Sequence, residues 1–203
     1  MTITYKVGEG LYVNLTNRCS NRCSFCVRNF ADNVNGKDAL WLDREPTFDE
    51  ALADIKKHGL KDIKELVFCG FGEPTFRIDD VVALAREVKR LRPSLPVRIN
   101  TNGQANLING RDVTPELEGA IDVLSISLNS STAEGYDRLC RSDYGRAAFD
   151  AVLDFARRAK KYVPDVRMSV VDILPADEIE RCRAITEELG VKLRVRKMIK
   201  KQP

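Results

Sequence analysis

Stretches with the period of a strand and stretches with the period of a helix alternate along this 203-residue chain, and few folds accommodate that order. GLYVNLT (10–16) sets Leu11, Val13 and Leu15 against Tyr12, Asn14 and Thr16, the alternation of a half-buried strand. A helix follows over about 47–58, opened by Pro46 and a Thr47-to-Glu50 capping box and closed by Gly59. ELVFCG (65–70) is the next strand, and IDDVVALAREVKRLR (78–92) is a helix stopped by Pro93. VRINT (97–101) and DVLSISL (122–128) are strands with a short helix near 115–120 between them. Helices over about 132–139 and 146–162, the strand VRMSVVD (166–172), a helix over about 177–189 closed by Gly190, and the strand KLRVRKM (192–198) complete the order. Six strands, each separated by helix, predict a parallel sheet with right-handed crossovers. One domain over 1–203 is expected, with a single long irregular connection at 28–46, and long loops in compact domains are usually functional.

The faces of these strands carry a second message. If the apolar alternates meet the helices, the opposite ones point inward: Tyr12, Asn14 and Thr16; Arg98, Asn100 and Asn102; Ser125, Ser127 and Asn129; Arg167 and Ser169; Lys192, Arg194 and Arg196. A closed eight-stranded barrel fills its interior with branched apolar residues. The polar, cationic set instead predicts an α/β fold of the partial (βα)6 barrel type, six mainly parallel strands open on one side around a wet cavity. Asn14, Asn100, Arg98, Arg167, Arg194 and Arg196 are the candidate substrate contacts, the arginines because a guanidinium suits bidentate recognition of carboxylate or phosphate. On the last strand, Lys192, Arg194 and Arg196 fit equally well as charges that protect an exposed edge.

Composition sets limits. The chain is 43% hydrophobic and 31% charged, and its 33 basic against 30 acidic residues leave a net charge of +3, too small to signal nucleic acid or a membrane surface. No stretch approaches the ~18 apolar residues of a membrane span, and MTITYKVGEG has no signal-peptide core, so a cytoplasmic protein is expected. In that reducing compartment the six cysteines are candidates for metal binding, catalysis or burial rather than disulfides.

Three of them, Cys19, Cys23 and Cys26, follow the first strand as C-x3-C-x2-C in a loop of about 17–46. Asn17, Ser20, Asn21 and Ser24 suit a turn that curls around a ligand. A closed zinc site needs a fourth ligand, and the single histidine, His58, lies at a predicted helix end where a cation favoured by the helix dipole is explanation enough. Common ferredoxin spacings also bring a fourth cysteine. Three thiolates on a [4Fe–4S] cube leave one iron open.

With Phe25 before the third cysteine, this loop resembles that of the radical S-adenosylmethionine (SAM) superfamily. GFGEP (70–74) after the second strand is similar to the family's glycine-rich GGEP element, and NTNG (100–103) and SISLNS (125–130) to its ribose-contacting ends. The resemblance covers nearly the whole chain. It implies an enzyme in which Cys19, Cys23 and Cys26 ligate a [4Fe–4S] cluster and SAM chelates the open iron. Reductive cleavage then gives a 5′-deoxyadenosyl radical that abstracts hydrogen from a substrate. It further implies that Phe25 meets the adenine, mainly through its backbone, and that the turn from Gly70 through Gly72 to Glu73 accepts the methionine amino group. Ser127, Asn129 and Asn102 would contact ribose or the methionine carboxylate. GFGE departs from GGE, with Gly72 and Glu73 aligning best, and on its own GFGEP fits a turn needing positive φ. Cys69 and Cys140 are weaker candidates for the site, Cys182 is expected to be a small buried hydrophobe, and Trp41 is a lid or a packing anchor.

Through TNRCSNRCSFCVRNF and CGFGEPTFR the chain most resembles the TatD-associated radical SAM proteins, and less closely 7-carboxy-7-deazaguanine synthase. The cationic strand faces point to a small, polar, anionic substrate, and the TatD link implies a nucleotide-like one and a functional association with a TatD-type hydrolase; a flavodoxin- or ferredoxin-like electron donor is expected of the radical chemistry. The alternatives are an activating enzyme that places a radical on a partner protein and a non-catalytic iron–sulfur or zinc protein.

Overall fold

The computed structural model describes residues 1–34, 36–37 and 39–198. Its frame is one seven-stranded sheet with strands in chain order: β1 (Thr4–Val7), β2 (Gly10–Val13), β3 (Glu65–Phe68), β4 (Val97–Thr101), β5 (Val123–Ser127), β6 (Asp165–Val171) and β7 (Lys192–Arg196). From β2 onward every neighbouring pair is parallel, and the sheet does not close, the architecture of a partial barrel. All six expected strands are present. The seventh, β1, was not expected: it pairs antiparallel with β2 across a two-residue turn in which Gly8 takes φ +57°, a conformation cheap only for glycine.

The helices are α1 (Phe48–Lys57), α2 (Ile78–Leu91), α3 (Ala105–Asn109), α4 (Ala133–Cys140), α5 (Ala147–Ala159) and α6 (Ala176–Glu188). The Thr47–Glu50 capping box forms in both directions at the start of α1. Between β4 and β5 the expected helix is a 3-10 turn at Thr114–Leu117, and α3 precedes it.

One face of the sheet packs on the helices. Leu11, Val13, Leu66, Phe68, Val97, Ile99, Leu124, Ile126 and Met168 join Ile55, Val81, Ala85, Val88, Val152 and Phe155 in the main core, which also holds Cys182. The facing rows are polar, as alternation requires: Asn100, Ser125, Arg167 and Lys192 share one register row, and Ser127, Ser169 and Arg194 the next. A smaller core of Tyr5, Leu40 and Phe71, with Tyr12, Val27 and Val34 against it, covers the β1–β2 side. No helix is long and apolar enough to cross a membrane, a statement that covers the described residues.

Candidate active site at the carboxyl ends of the strands

The cysteine loop leaves β2 and is pinned on three sides. On one side it docks on the end of α4: Arg22 N donates to Cys140 O at 2.9 Å and Ser24 N to Leu139 O at 3.1 Å, using carbonyls that a helix end leaves without partners. On a second side Gln104, wholly buried after β4, accepts from Ser20 Oγ (2.8 Å) and Ser142 Oγ (3.0 Å) and donates to Asn21 Oδ1 (2.8 Å) and the Tyr136 hydroxyl (2.8 Å). Within the loop, Asn29 Nδ2 donates to Cys23 O at 3.0 Å.

The third side is the GFGEP turn. A Cβ on Gly72 would lie 2.3 Å from Thr16 O and 2.6 Å from Arg18 O, and one on Gly70 would lie 2.0 Å from Asn14 Oδ1. Close approach to the backbone leading into the cysteine loop therefore demands glycine at 72, and the Asn14 side chain demands it at 70, whereas φ is positive at neither, contrary to the sequence expectation for this turn. Glu73 N donates to Arg18 O at 2.8 Å. Its buried carboxylate accepts from Thr75 N and Oγ1, Thr101 Oγ1 (2.7 Å) and Asn102 N (2.6 Å), and so welds the GFGEP and NTNG turns together. Burial pushes this carboxyl's pKa up against the pull of those donors. Phe71, the residue that interrupts GGE, points into the smaller core and meets Trp41 edge-on at 5.0 Å, so Trp41 is packed as well as partly exposed.

Cys19, Cys23 and Cys26 are free, partly buried thiols, and Cys19 and Cys26 each lie within electrostatic reach of Cys23; among the described residues the three are not drawn together as a closed metal site. Burial, then the charge of Glu73, pushes the Cys19 thiol up to about 12, and burial raises Cys26. The thiol of Cys140 beside it raises Cys23, with burial second. Cys140 is thus a neighbour of the triad, and Asn129 Nδ2 donates to its sulfur at 3.5 Å. Cys69 lies on the open face beside Asn100, its thiol raised by burial. His58 is held away from the cysteines by Thr4 Oγ1 at 2.8 Å.

The donor set of three thiolates fits an iron–sulfur cluster, and a second feature fits a further ligand. The buried side-chain oxygens of Asn14, Asn100 and Asn129 have no hydrogen-bond partner, and all three residues sit at the carboxyl ends of β2, β4 and β5. An unpaired buried polar atom costs roughly 1–3 kcal/mol, a cost that a ligand with donor groups removes. Asn129 also holds φ +58°, and backbone strain of this kind clusters at ligand sites. Ser127 is half-buried at the end of β5, and Phe25 packs partly buried on the main core. The Asn102 side chain donates to Ser20 Oγ (2.9 Å) and accepts from Gln104 N (3.0 Å), so it steadies the loop.

The expected cationic lining also changes. Arg98 and Arg167 are on the open face, but Arg98 pairs with Glu65 at 2.7 Å and touches the Tyr12 hydroxyl, and Arg167 pairs with Asp165. Glu65 and Asp165 begin β3 and β6, so both ion pairs lie at the floor of the sheet, remote from the cysteines. Alternation along β4 could not say that register sets Glu65 of the neighbouring strand beside Arg98, whereas Asp165, two positions before Arg167 on the same strand and face, was there to be read. Lys192 and Arg194 are exposed, whereas Arg196 is half-buried, its Nε donating to Ser169 Oγ at 3.1 Å. Pattern reading gave Ser20 and Asn21 to the ligand-curling turn but missed their partners Gln104, Tyr136 and Ser142, whose polarity inside an apolar shell was the available signal.

A three-thiolate loop at the mouth of an open parallel sheet, with unpaired oxygens across from it, defines an iron–sulfur enzyme core built to take a second ligand. The chain belongs to the radical SAM superfamily, whose family model matches residues 13–189. Its cofactors are those of the family, a [4Fe–4S] cluster and SAM. Among curated proteins it is 26% identical over 159 residues to the GTP 3′,8-cyclase of Lactiplantibacillus plantarum, covering 78% of this chain and 44% of that protein. It is 26% identical over 170 residues to the molybdenum cofactor biosynthesis protein moc-5 of Caenorhabditis elegans, covering 84% of this chain and 26% of that one. The chain thus spans less than half the length of these relatives. Its fold is similar to that of SuiB of Streptococcus suis bound to SAM (TM-score 0.63, 17% identity, 93% of this chain and 38% of that one). It is also similar to methylornithine synthase (TM-score 0.62, 17% identity, 94% and 53%).

Proposed function

We propose that this chain, read as one radical SAM domain, acts on a small, anionic, nucleotide-like substrate held over the open face of the sheet. The observation that carries a substrate here is the pair of unpaired buried oxygens of Asn14 and Asn100, acceptors suited to the amine and hydroxyl donors of a nucleotide-like compound, and its anionic character rests on the basic residues of the sheet's polar face. When bound, the cluster and SAM supply one-electron cleavage of the sulfonium bond and the hydrogen abstraction that follows. The chain's own part is to hold and position. Cys19, Cys23 and Cys26 bind the cluster on a loop that Gln104 and the end of α4 keep in place. The backbone of Phe25 and of the Gly70–Gly72 turn, with Ser127 and Asn129, lines the SAM side. Glu73 and Asn102 act as positioning residues, because their polar atoms already tie one turn to the next. Asn14 and Asn100 face the substrate. The ion pairs of Arg98 and Arg167 close the floor.

The relatives named GTP 3′,8-cyclase make GTP the first compound to test. Our finer placement is among the TatD-associated radical SAM proteins, in the cytoplasm, with a flavodoxin- or ferredoxin-like donor and a TatD-type hydrolase as functional neighbour. It rests on TNRCSNRCSFCVRNF and CGFGEPTFR. Reconstituted, reduced protein assayed anaerobically against GTP and a panel of anionic metabolites should release 5′-deoxyadenosine in excess over enzyme with one of them. Replacing any of the three cysteines with Ala should abolish it. Release stoichiometric with a partner protein would instead favour an activating enzyme, and stoichiometric zinc with tetrahedral sulfur ligation would end the reading.

A further inference from the structure

Of the described cations on the open face, Arg196 is both half-buried and without a counter-ion among the described residues. Arg98 and Arg167 are neutralised at the floor, and Lys192 and Arg194 stand in solvent. Arg196, at the end of β7, has no carboxylate within ion-pairing distance among the described residues, and its only side-chain hydrogen bond there is from Nε to Ser169 Oγ. Arg196 sits at the carboxyl end of β7, where its side chain leans onto β6 through Ser169, and it lies within the field of Cys69, at the carboxyl end of β3, and of Cys23 in the cysteine loop. A like charge, Arg194, is close by, and burial with that repulsion draws the Arg196 pKa below its ordinary value. Edge protection does not account for this, since a guarding charge belongs in water, as Lys192 and Arg194 are. A partly desolvated charge without a partner is costly unless something completes it.

We propose that Arg196 is the anion-binding residue of this site, its guanidinium receiving a carboxylate or phosphate oxyanion of the ligand that occupies the open face. This rests on the function proposed above and narrows it to one side chain. The fork geometry of a guanidinium suits two oxygens of one such group, and Ser169 fixes its orientation before the ligand arrives. Two sources supply that chemistry, the substrate's own anion and the carboxylate of SAM.

Isothermal titration of the reconstituted protein separates them, with pyrophosphate, GTP, uncharged guanosine and SAM as probes. Arg196→Gln should weaken an anionic probe about tenfold or more, Arg196→Lys less, with guanosine unaffected and iron content unchanged. Loss for pyrophosphate and GTP assigns the oxyanion to the substrate, whereas loss for SAM alone assigns it to the cofactor. Equal affinities of wild type and Arg196→Gln for pyrophosphate, GTP and SAM would overturn the proposal. That result leaves the functional reading standing as long as reduced wild-type protein still cleaves SAM. Absence of that cleavage defeats the reading itself.

Discussion

Gly72 shows how a residue acts through what it lacks. Its missing side chain admits Thr16 O and Arg18 O, both backbone atoms that cannot swing aside. Gly72→Ala should therefore cost roughly 1–3 kcal/mol, typical of forced overpacking, and lower the iron bound on reconstitution, because the displaced backbone leads into Cys19. Gly110 is the control: its φ is +63° and nothing lies within 4 Å of where a Cβ would stand, so Gly110→Ala should lower the melting temperature while iron content holds. Iron retained in the Gly72 variant would show that this approach does not set the loop. At this scale the sequence disclosed residue types better than reasons. It marked Gly72 and Glu73 correctly as a turn, yet the close approach that demands the glycine is made by a segment more than fifty positions earlier, invisible to local pattern.

Between elements, Glu178 in the first turn of α6 clasps the segment that follows β5. One of its oxygens accepts from Ser130 Oγ (3.0 Å), Ser131 N (2.8 Å) and Ser131 Oγ (2.9 Å), and the other from Arg181. Burial alone would raise its pKa, but these donors reverse that and hold it at about 2 against an ordinary 4.5. A depressed carboxylate contributes stability above its unfolded pKa that is lost as pH falls through the folded one. The contribution is therefore complete above pH 4.5 and fades between there and about pH 2. Glu178→Gln should lower the melting temperature at pH 7 and lose that difference as the acid titration crosses this window; a constant difference down to pH 2 would remove the clasp from the account. Element order was legible because each apolar stripe had its own period. β1 was not, because four residues are too few for a period to stand out, and they gain strand character by pairing with β2. α3 escaped for a similar reason, being five residues long and held by Gln104 and its neighbours rather than by an amphipathic stripe.

The molecule as a whole divides its sheet between an apolar face under helices and a polar face left open, and that division followed from alternation along β4, β5 and β6. What alternation could not supply was depth: Arg98 and Arg196 share a face, yet one is sealed at the floor and the other hangs at the mouth. The long connection from β2 supplies the rest of the enclosure. Its anchor, Trp41, is the sole tryptophan in the chain. Its ring meets Phe71 edge-on, carries the Arg28 guanidinium 5.1 Å from its centroid, and donates from Nε1 to Asp32 at 3.1 Å. Arg28 follows Cys26 by two residues and also donates to Phe71 O at 3.0 Å. The protein thus carries a single indole, excitable apart from its five tyrosines, fastened to the cysteine loop. A visible-absorbing cluster nearby accepts its excitation energy, so emission should be quenched on anaerobic loading and recover when a chelator strips the iron. In Phe71→Ala, which frees the indole to water, the emission should already lie further to the red. Emission blind to loading would mean that Trp41 is optically, and hence spatially, decoupled from the cysteines.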